Sequence, residues 1–239
     1  MGETVAIGEF EVEVRRARVR RVTLRIAPDG SVRVTAPNAC PIQDIEAFVR
    51  DKATWAESRR EGVLRARREE LAMWSDGGCV EYLGEALTLS VERDAATHAA
   101  QFAERSGERI IVHLADFTTS EEVTGQTQAL VEAWLEERME ELLPGLFAKI
   151  ERRMQLRCSG WRIRRMKSRW GSCNTKTRMI CLNAQLVEYP IECLESVIAH
   201  ELCHLIEPTH NERFHQLLDT YYPANREARR ILNLRPPRR

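Results

Sequence analysis

The sequence predicts an α+β fold, strand-rich in its N-terminal region and ending in a hairpin and a set of helices. Three observations carry that prediction. Period-two alternation dominates the first hundred residues, and a 3.6-residue apolar period takes over after about residue 119. An alternating stretch, Trp161 to Leu186, then runs directly into a segment holding four of the chain's 6 histidines. The expected division is residues 1–118, a β-rich region with one long helix, and residues 119–239, the region carrying the histidines.

Each element has its own signal. Phe10–Val19 and Val22–Val34 alternate apolar and charged residues, with Pro28-Asp29-Gly30 as the turn between strands. Pro37 closes that segment and Pro41 opens a helix at about Ile42, whose buried side takes Ile45, Phe48, Val49, Trp55, Val63 and Leu64. Asp76-Gly77-Gly78 turns the chain into three further strands, Cys79–Leu83, Glu85–Glu92 and Arg109–Leu114, with the polar Arg93–Gly107 as a hairpin excursion. Thr119-Ser120-Glu121-Glu122 reads as an N-cap with first-turn acids. The helix behind it carries Leu130, Trp134, Leu135, Met139 and Leu142, and Pro144-Gly145 breaks or kinks it before a second piece to Met154. Trp161–Leu186 reads as a β-hairpin turning at Asn174-Thr175-Lys176-Thr177, with Ile180, Leu182 and Ala184 on one face. Pro190 and Glu192 begin the next helix, and Asn211–Tyr222 and Ala224–Leu234 close the chain as short helices. No internal repeat is visible.

Composition bounds the class. At 239 residues, 43% hydrophobic and 30% charged, the chain suits one globular domain or a catalytic domain with an appended lobe. No run of about 18 apolar residues exists, so no membrane span is expected. Met1–Phe10 carries acids and no apolar core of the secretory kind, which makes the cytoplasm the expected compartment. The 7 cysteines are odd in number and form no C-x-x-C pair, against both a disulfide framework and a structural zinc ribbon.

Formal net charge is zero, yet Glu151–Ile180 holds ten basic residues against one acid, Glu151. Such an excess invites an anionic partner, unless acids from elsewhere in the fold neutralise a solvated face.

The decisive stretch is His200-Glu201-Leu202-Cys203-His204, followed by His210. Residues four apart share a helix face, so two imidazoles can reach one metal ion. Glu201, rotated about 100° around the axis, can hold a metal-bound water as a general base. Catalytic zinc takes three protein ligands and keeps one position open. Pro208 ends the helix and lets His210 fold back as the third ligand; Glu212 and Glu227 are the alternatives. A metzincin is excluded because Glu207 stands where that pattern has glycine and no methionine follows Met179. Cys203 points away from His200 and reads as a small buried hydrophobe. His215 faces either the substrate or its own helix.

The chain resembles the YgjP-like metallopeptidase family, related to the SprT-like and WLM proteases. The resemblance rests on Lys167-Ser168-Arg169-Trp170-Gly171-Ser172-Cys173, Leu182-Asn183, Leu186, Pro190, His200-Glu201-Leu202-Cys203-His204-Leu205, His210 and Phe214. It implies a zincin-like region with a β-hairpin beside the H-E-x-x-H helix. It implies a zinc ion held by His200, His204 and His210, with Glu201 as base. A strand beside such a cleft can pair with an extended substrate. Trp170 and Gly171 fit a tight corner there, and Arg169 or Lys167 can face the cleft and stabilise an anionic transition state.

Three functions compete. A zinc metallopeptidase acting on peptides or proteins is favoured. A metal-dependent nucleoside triphosphate pyrophosphatase would use the same site, with Arg164, Arg165 and Arg169 clamping an anionic nucleotide. A non-enzymatic or DNA-associated module ranks last, for want of a nucleic-acid motif and of overall basic charge.

Overall fold

The computed structural model describes residues 3–94, 101–115 and 120–237, in two compact units, Met1–Met73 and Trp74–Arg239. The division falls at the end of a helix, ahead of the 118–119 boundary expected from the sequence. The physical reason is that the second group of strands shares its core with the long helix that follows it.

In the first unit, strands β1 (Glu3–Ile7), β2 (Phe10–Ala17), β3 (Thr23–Ile26) and β4 (Val32–Pro37) form a sheet in the order β1-β2-β4-β3. β2 and β4 run parallel, and the other pairs are antiparallel. The alternation places Phe10, Val12 and Val14 inward with Val32, Val34 and Ala36, against Ile45 and Val49 of helix α1 (Ile42–Asp51). Helix α2 (Ala53–Met73) follows. Gly30, at φ +82, sits under Leu64 of α2, where an added Cβ would meet a methyl at 2.8 Å. Trp55, expected on the buried side, is 50% exposed. Lys52 interrupts the helix between α1 and α2, so the spacing that buries Ile45 and Val49 does not carry through to Trp55.

The second unit repeats the same strand order. β5 (Cys79–Tyr82), β6 (Glu85–Asp94), β7 (Phe102–Ser106) and β8 (Arg109–Ala115) form a sheet in the order β5-β6-β8-β7, with β6 and β8 parallel. A topological repeat thus exists that residue identities do not display. β6 and β7 occupy the ends of the expected Arg93–Gly107 excursion, of which residues 95–100 lie outside the described residues. Thr119, the expected N-cap, also lies outside them.

Helix α3 (Ser120–Met154) packs on β7 and β8, burying Val131, Leu135, Met139, Leu143, Phe147 and Ile150 in a stripe of helical period. Of the expected break or kink at Pro144, the break is absent: the helix continues through it, and Pro144 and Glu140 both face solvent, where the carbonyl that loses its amide partner is open to water.

The expected hairpin is the inner half of a three-stranded sheet. β10 (Gly171–Asn174) and β11 (Met179–Asn183) pair antiparallel across the Asn174–Thr177 turn, while β9 (Gly160–Arg164) pairs parallel with β11 on its other side. β10 is therefore an edge strand. A 3₁₀ turn (Ala184–Glu188) leads to helix α4 (Ile191–Cys203), capped by Pro190, and helices α5 (Glu212–Tyr221) and α6 (Asn225–Leu234) pack against it. The β5–β6 turn meets this junction. Leu83 and Gly84 donate their amides to the Val187 and Glu188 carbonyls at 2.8 and 3.2 Å. An added Cβ at Gly84 would lie 2.9 Å from the Pro190 ring. Among the described residues, no helix is long and apolar enough to cross a membrane.

Candidate metal centre

Helix α4 is buried along most of its length, and His200 and Glu201 stand on its last turn. His204 is the C-cap, still in the α conformation at φ −63 and ψ −17, so the four-residue stacking of the two imidazoles survives the end of the helix. The chain then turns sharply. Ile206 and Glu207 both donate their amides to the Cys203 carbonyl at 2.9 Å. The Glu207 carboxylate accepts from the Thr209 hydroxyl at 2.9 Å, and Asn211 caps α5 by accepting from the Phe214 amide at 3.0 Å. These bonds fold His210 back over the helix end.

The result is a cluster of His200, His204 and His210 whose ligand atoms all lie within 4.8 Å of one another. His200 and His210 bring their Nε2 atoms to 2.9 Å. His204 sets its own tautomer: its Nδ1 lies 3.2 Å from the Glu207 carbonyl, which can only accept, so the proton is on Nδ1 and the Nε2 lone pair is free. Phe214, fully buried, supports all three rings, with centroid distances of 4.8, 4.7 and 4.7 Å. Burial, with the neighbouring imidazoles, drives His200 down to about 3. Burial also lowers His204. Three imidazoles converging on one point suit a divalent first-row transition ion, and the residues present fit that group. Glu212 and Glu227 stand outside the cluster; they hold Gln216 and Arg230 instead.

Glu201 is 5% exposed and faces β10. Gly171 supplies the room: a Cβ there would lie 2.5 Å from the Glu201 Oε1. Burial pushes the Glu201 carboxyl up to about 8, opposed by the Arg169 guanidinium, and a metal ion nearby would act in the same sense as the arginine. A carboxylate that is buried and proton-seeking is suited to take a proton from a water.

The cluster opens into a cavity of about 790 Å³. Arg169, Trp170, Gly171 and Ser172 line it from β10 and the loop before it, and His215, Leu218, Arg229 and Leu232 from α5 and α6. Trp170 is half-buried and packs edge-on against Tyr189 at 4.9 Å. Lys167 is exposed and does not line the cavity. The basic stretch disperses: Arg165 pairs with Glu132 at 3.0 Å, Arg178 bonds the Arg157 carbonyl, and Arg164 is not on the cavity wall. Cys203 is fully buried, and its thiol is pushed up to about 12.

Two supports have no role in the sequence reading. Asn183, fully buried at the end of β11, donates from Nδ2 to the carbonyls of Met166 and Arg169 at 2.8 and 2.9 Å. Its backbone amide donates to the Trp170 carbonyl at 2.8 Å, so one residue holds the whole loop that presents Arg169 and Trp170. Glu195, buried on α4, is bound by Lys149 of α3 and reached by the Tyr222 hydroxyl at 3.2 Å. In the sequence Asn183 stands only within the stretch that carries the family resemblance, with no role attached to it. The cavity face of α6, however, has a legible spacing: Asn225, Arg229, Leu232 and Asn233 share one side.

Comparison with known proteins gives a family match. The YgjP-like metallopeptidase domain profile matches residues 20–235. A solved structure, the metallopeptidase zymogen of Pyrococcus abyssi abylysin, is 21% identical, spans 40% of this chain and 96% of its own, and superposes with a TM-score of 0.36. No curated protein matches.

Proposed function

The chain belongs to the YgjP-like metallopeptidase family, and from that premise we propose that it is a zinc-dependent peptidase with Glu201 as general base and His200, His204 and His210 as ligands. The observation that carries this reading is the convergence of three imidazoles and one buried carboxylate on a single open cavity. The chemistry supplied by a bound zinc is Lewis acidity toward the scissile carbonyl and a lowered pKa for water.

The chain's own residues do the rest. Glu201 accepts a proton from the attacking water and returns it to the leaving amine. β10, a free edge beside Glu201, offers backbone groups to an extended peptide, an arrangement that suits unfolded or loop segments of protein. Arg169 places a positive charge on the cavity wall, where oxyanion character develops. Asn183 positions it. The dispersal of Arg164 and Arg165 away from the cavity supports peptide over nucleotide as substrate. Cytoplasm remains the proposed compartment, on the free thiols of all seven cysteines.

The test is metal content and turnover together. Purified protein should carry about one zinc per chain, lost in His204→Ala. It should hydrolyse unfolded protein and leave nucleoside triphosphates intact. Glu201→Gln should keep the metal and lose turnover. Metal retained by His204→Ala would overturn the assignment of the site.

A further inference from the structure

Helix α6 and its surroundings carry a set of arginines whose charges are answered one by one. Arg226 pairs with Asp219 at 2.7 Å, Arg230 with Glu227 at 2.6 Å, and Arg235 with Glu81 at 2.7 Å. Arg229 is different. It lies on the cavity side of α6, in line with Asn225, Leu232 and Asn233, and among the described residues no ion pair is formed by it. The cavity wall contains one acid, Glu201, and that carboxylate already feels the charge of Arg169. Arg229 therefore brings an unanswered positive charge into a space where a substrate must lie.

The neighbourhood narrows what that charge meets. Of the residues that line the cavity with Arg229, Val197, Leu218 and Leu232 are apolar, and Asn225 and Asn233 offer only neutral carbonyl oxygens, so none of these supplies a negative charge. A ligand group that answers Arg229 must be an anion reached from within the cavity. Because guanidinium and carboxylate match as planar, two-pronged partners, a carboxylate is the group of a peptide that fits best.

We propose that Arg229 is the specificity residue of a carboxylate subsite, so that the enzyme selects peptides presenting either an acidic side chain or a free C-terminal carboxylate beside the scissile bond. This inference rests on the peptidase reading given above. An apolar residue next to the carboxylate would meet Val197, Leu218 and Leu232, while the extended backbone follows β10.

Four matched peptides test it: one internal position as Glu or Gln, crossed with a free or an amidated C-terminus. Their dissociation constants are measured by calorimetry on the zinc-loaded Glu201→Gln protein, and their kcat/KM values on the active enzyme. The expected result is a preference of about 10- to 100-fold for the carboxylate member of one pair. That ratio should collapse toward one in Arg229→Gln, persist in part in Arg229→Lys, and invert in Arg229→Glu. Arg229 is exposed and carries no ion pair among the described residues, so the melting temperature of these variants should not move. Which pair discriminates tells the two sources of the carboxylate apart. Equal affinity for acid and amide in the Arg229 protein, or a preference that survives Arg229→Gln, overturns the subsite even if peptides are cleaved. Discrimination in binding with no cleavage of any peptide would overturn the peptidase reading and leave the carboxylate site standing.

Discussion

Gly171 and Glu201 are so closely apposed that a methyl group on the glycine would sit 2.5 Å from the carboxylate oxygen. Strand and helix thus come closest where the strand has no side chain, at the residue proposed as the general base. Gly171→Ala should lower kcat about 100-fold by turning the Glu201 carboxylate off its line, with zinc still bound at wild-type stoichiometry. Turnover against metal content checks it. Parallel loss of both would mean the glycine serves the fold and not the base.

Phe214 carries the three imidazoles on its ring faces and edges and has no exposed surface. Phe214→Ala should cost about 3–5 kcal/mol in denaturant unfolding. Phe214→Leu should cost less than half of that while still weakening zinc affinity, because the platform under the rings is lost. Chelator competition reads the second effect.

Asn183 separates positioning from stability. Asn183→Asp keeps an acceptor for the Gln185 amide but loses both bonds donated to Met166 and Arg169. Turnover should fall while zinc content holds. Asn183→Ala should add an unfolding penalty of about 2–4 kcal/mol.

Tyr222 yields a pH dependence. Burial first, and then the Glu195 carboxylate, raise its hydroxyl well above the ordinary value of 10.0. A group with a raised folded pKa stabilises fully below the unfolded value and loses that contribution as pH climbs above it. The wild type should therefore weaken from about pH 10 upward. Tyr222→Phe should be about 1–2 kcal/mol less stable at pH 8, yet show a shallower alkaline decline. Equal slopes for the two proteins in stability against pH would count against this account.

Cysteine reactivity follows exposure and acidity. Cys79 is exposed, whereas Cys203 is buried with its thiol pushed up to about 12. Alkylation of native protein at pH 8 should label Cys79 within minutes and spare Cys203, as peptide mapping by mass spectrometry would show. Rapid labelling of Cys203 would mean that the end of α4 opens readily.

The parts legible in the sequence are those set by local geometry. The four-residue spacing of His200 and His204 fixes a shared helix face wherever the helix goes, although the helix ends at Cys203, ahead of the exit after Ile206 that Pro208 predicts. Alternation located the β2, β6 and β11 strands for the same reason. Partners in space were not legible. Alternation says which residues face inward but not which strand lies alongside, so the parallel pairing of β9 with β11 and the repeated strand order went unread. The ten basic residues of Glu151–Ile180 were legible as a count but not as directions; Arg169 reaches the cavity and Arg165 turns to Glu132. Arg229 was overlooked because a lone arginine on a short helix has no motif around it.

Gly84 of the β5–β6 turn lies against Pro190, so a side chain added at position 84 would press on the start of α4 and tilt the helix about that point. His200 lies about 15 Å along the helix from that pivot, at 1.5 Å of rise per residue. A tilt of about 4° at Pro190 would swing the imidazole by about 1 Å, a misplacement able to cost two orders of magnitude in rate. Side chains at position 84, remote from every reacting atom, would thus detune the catalyst mechanically, and a compensating change at Pro190 would be the place to look for its restoration.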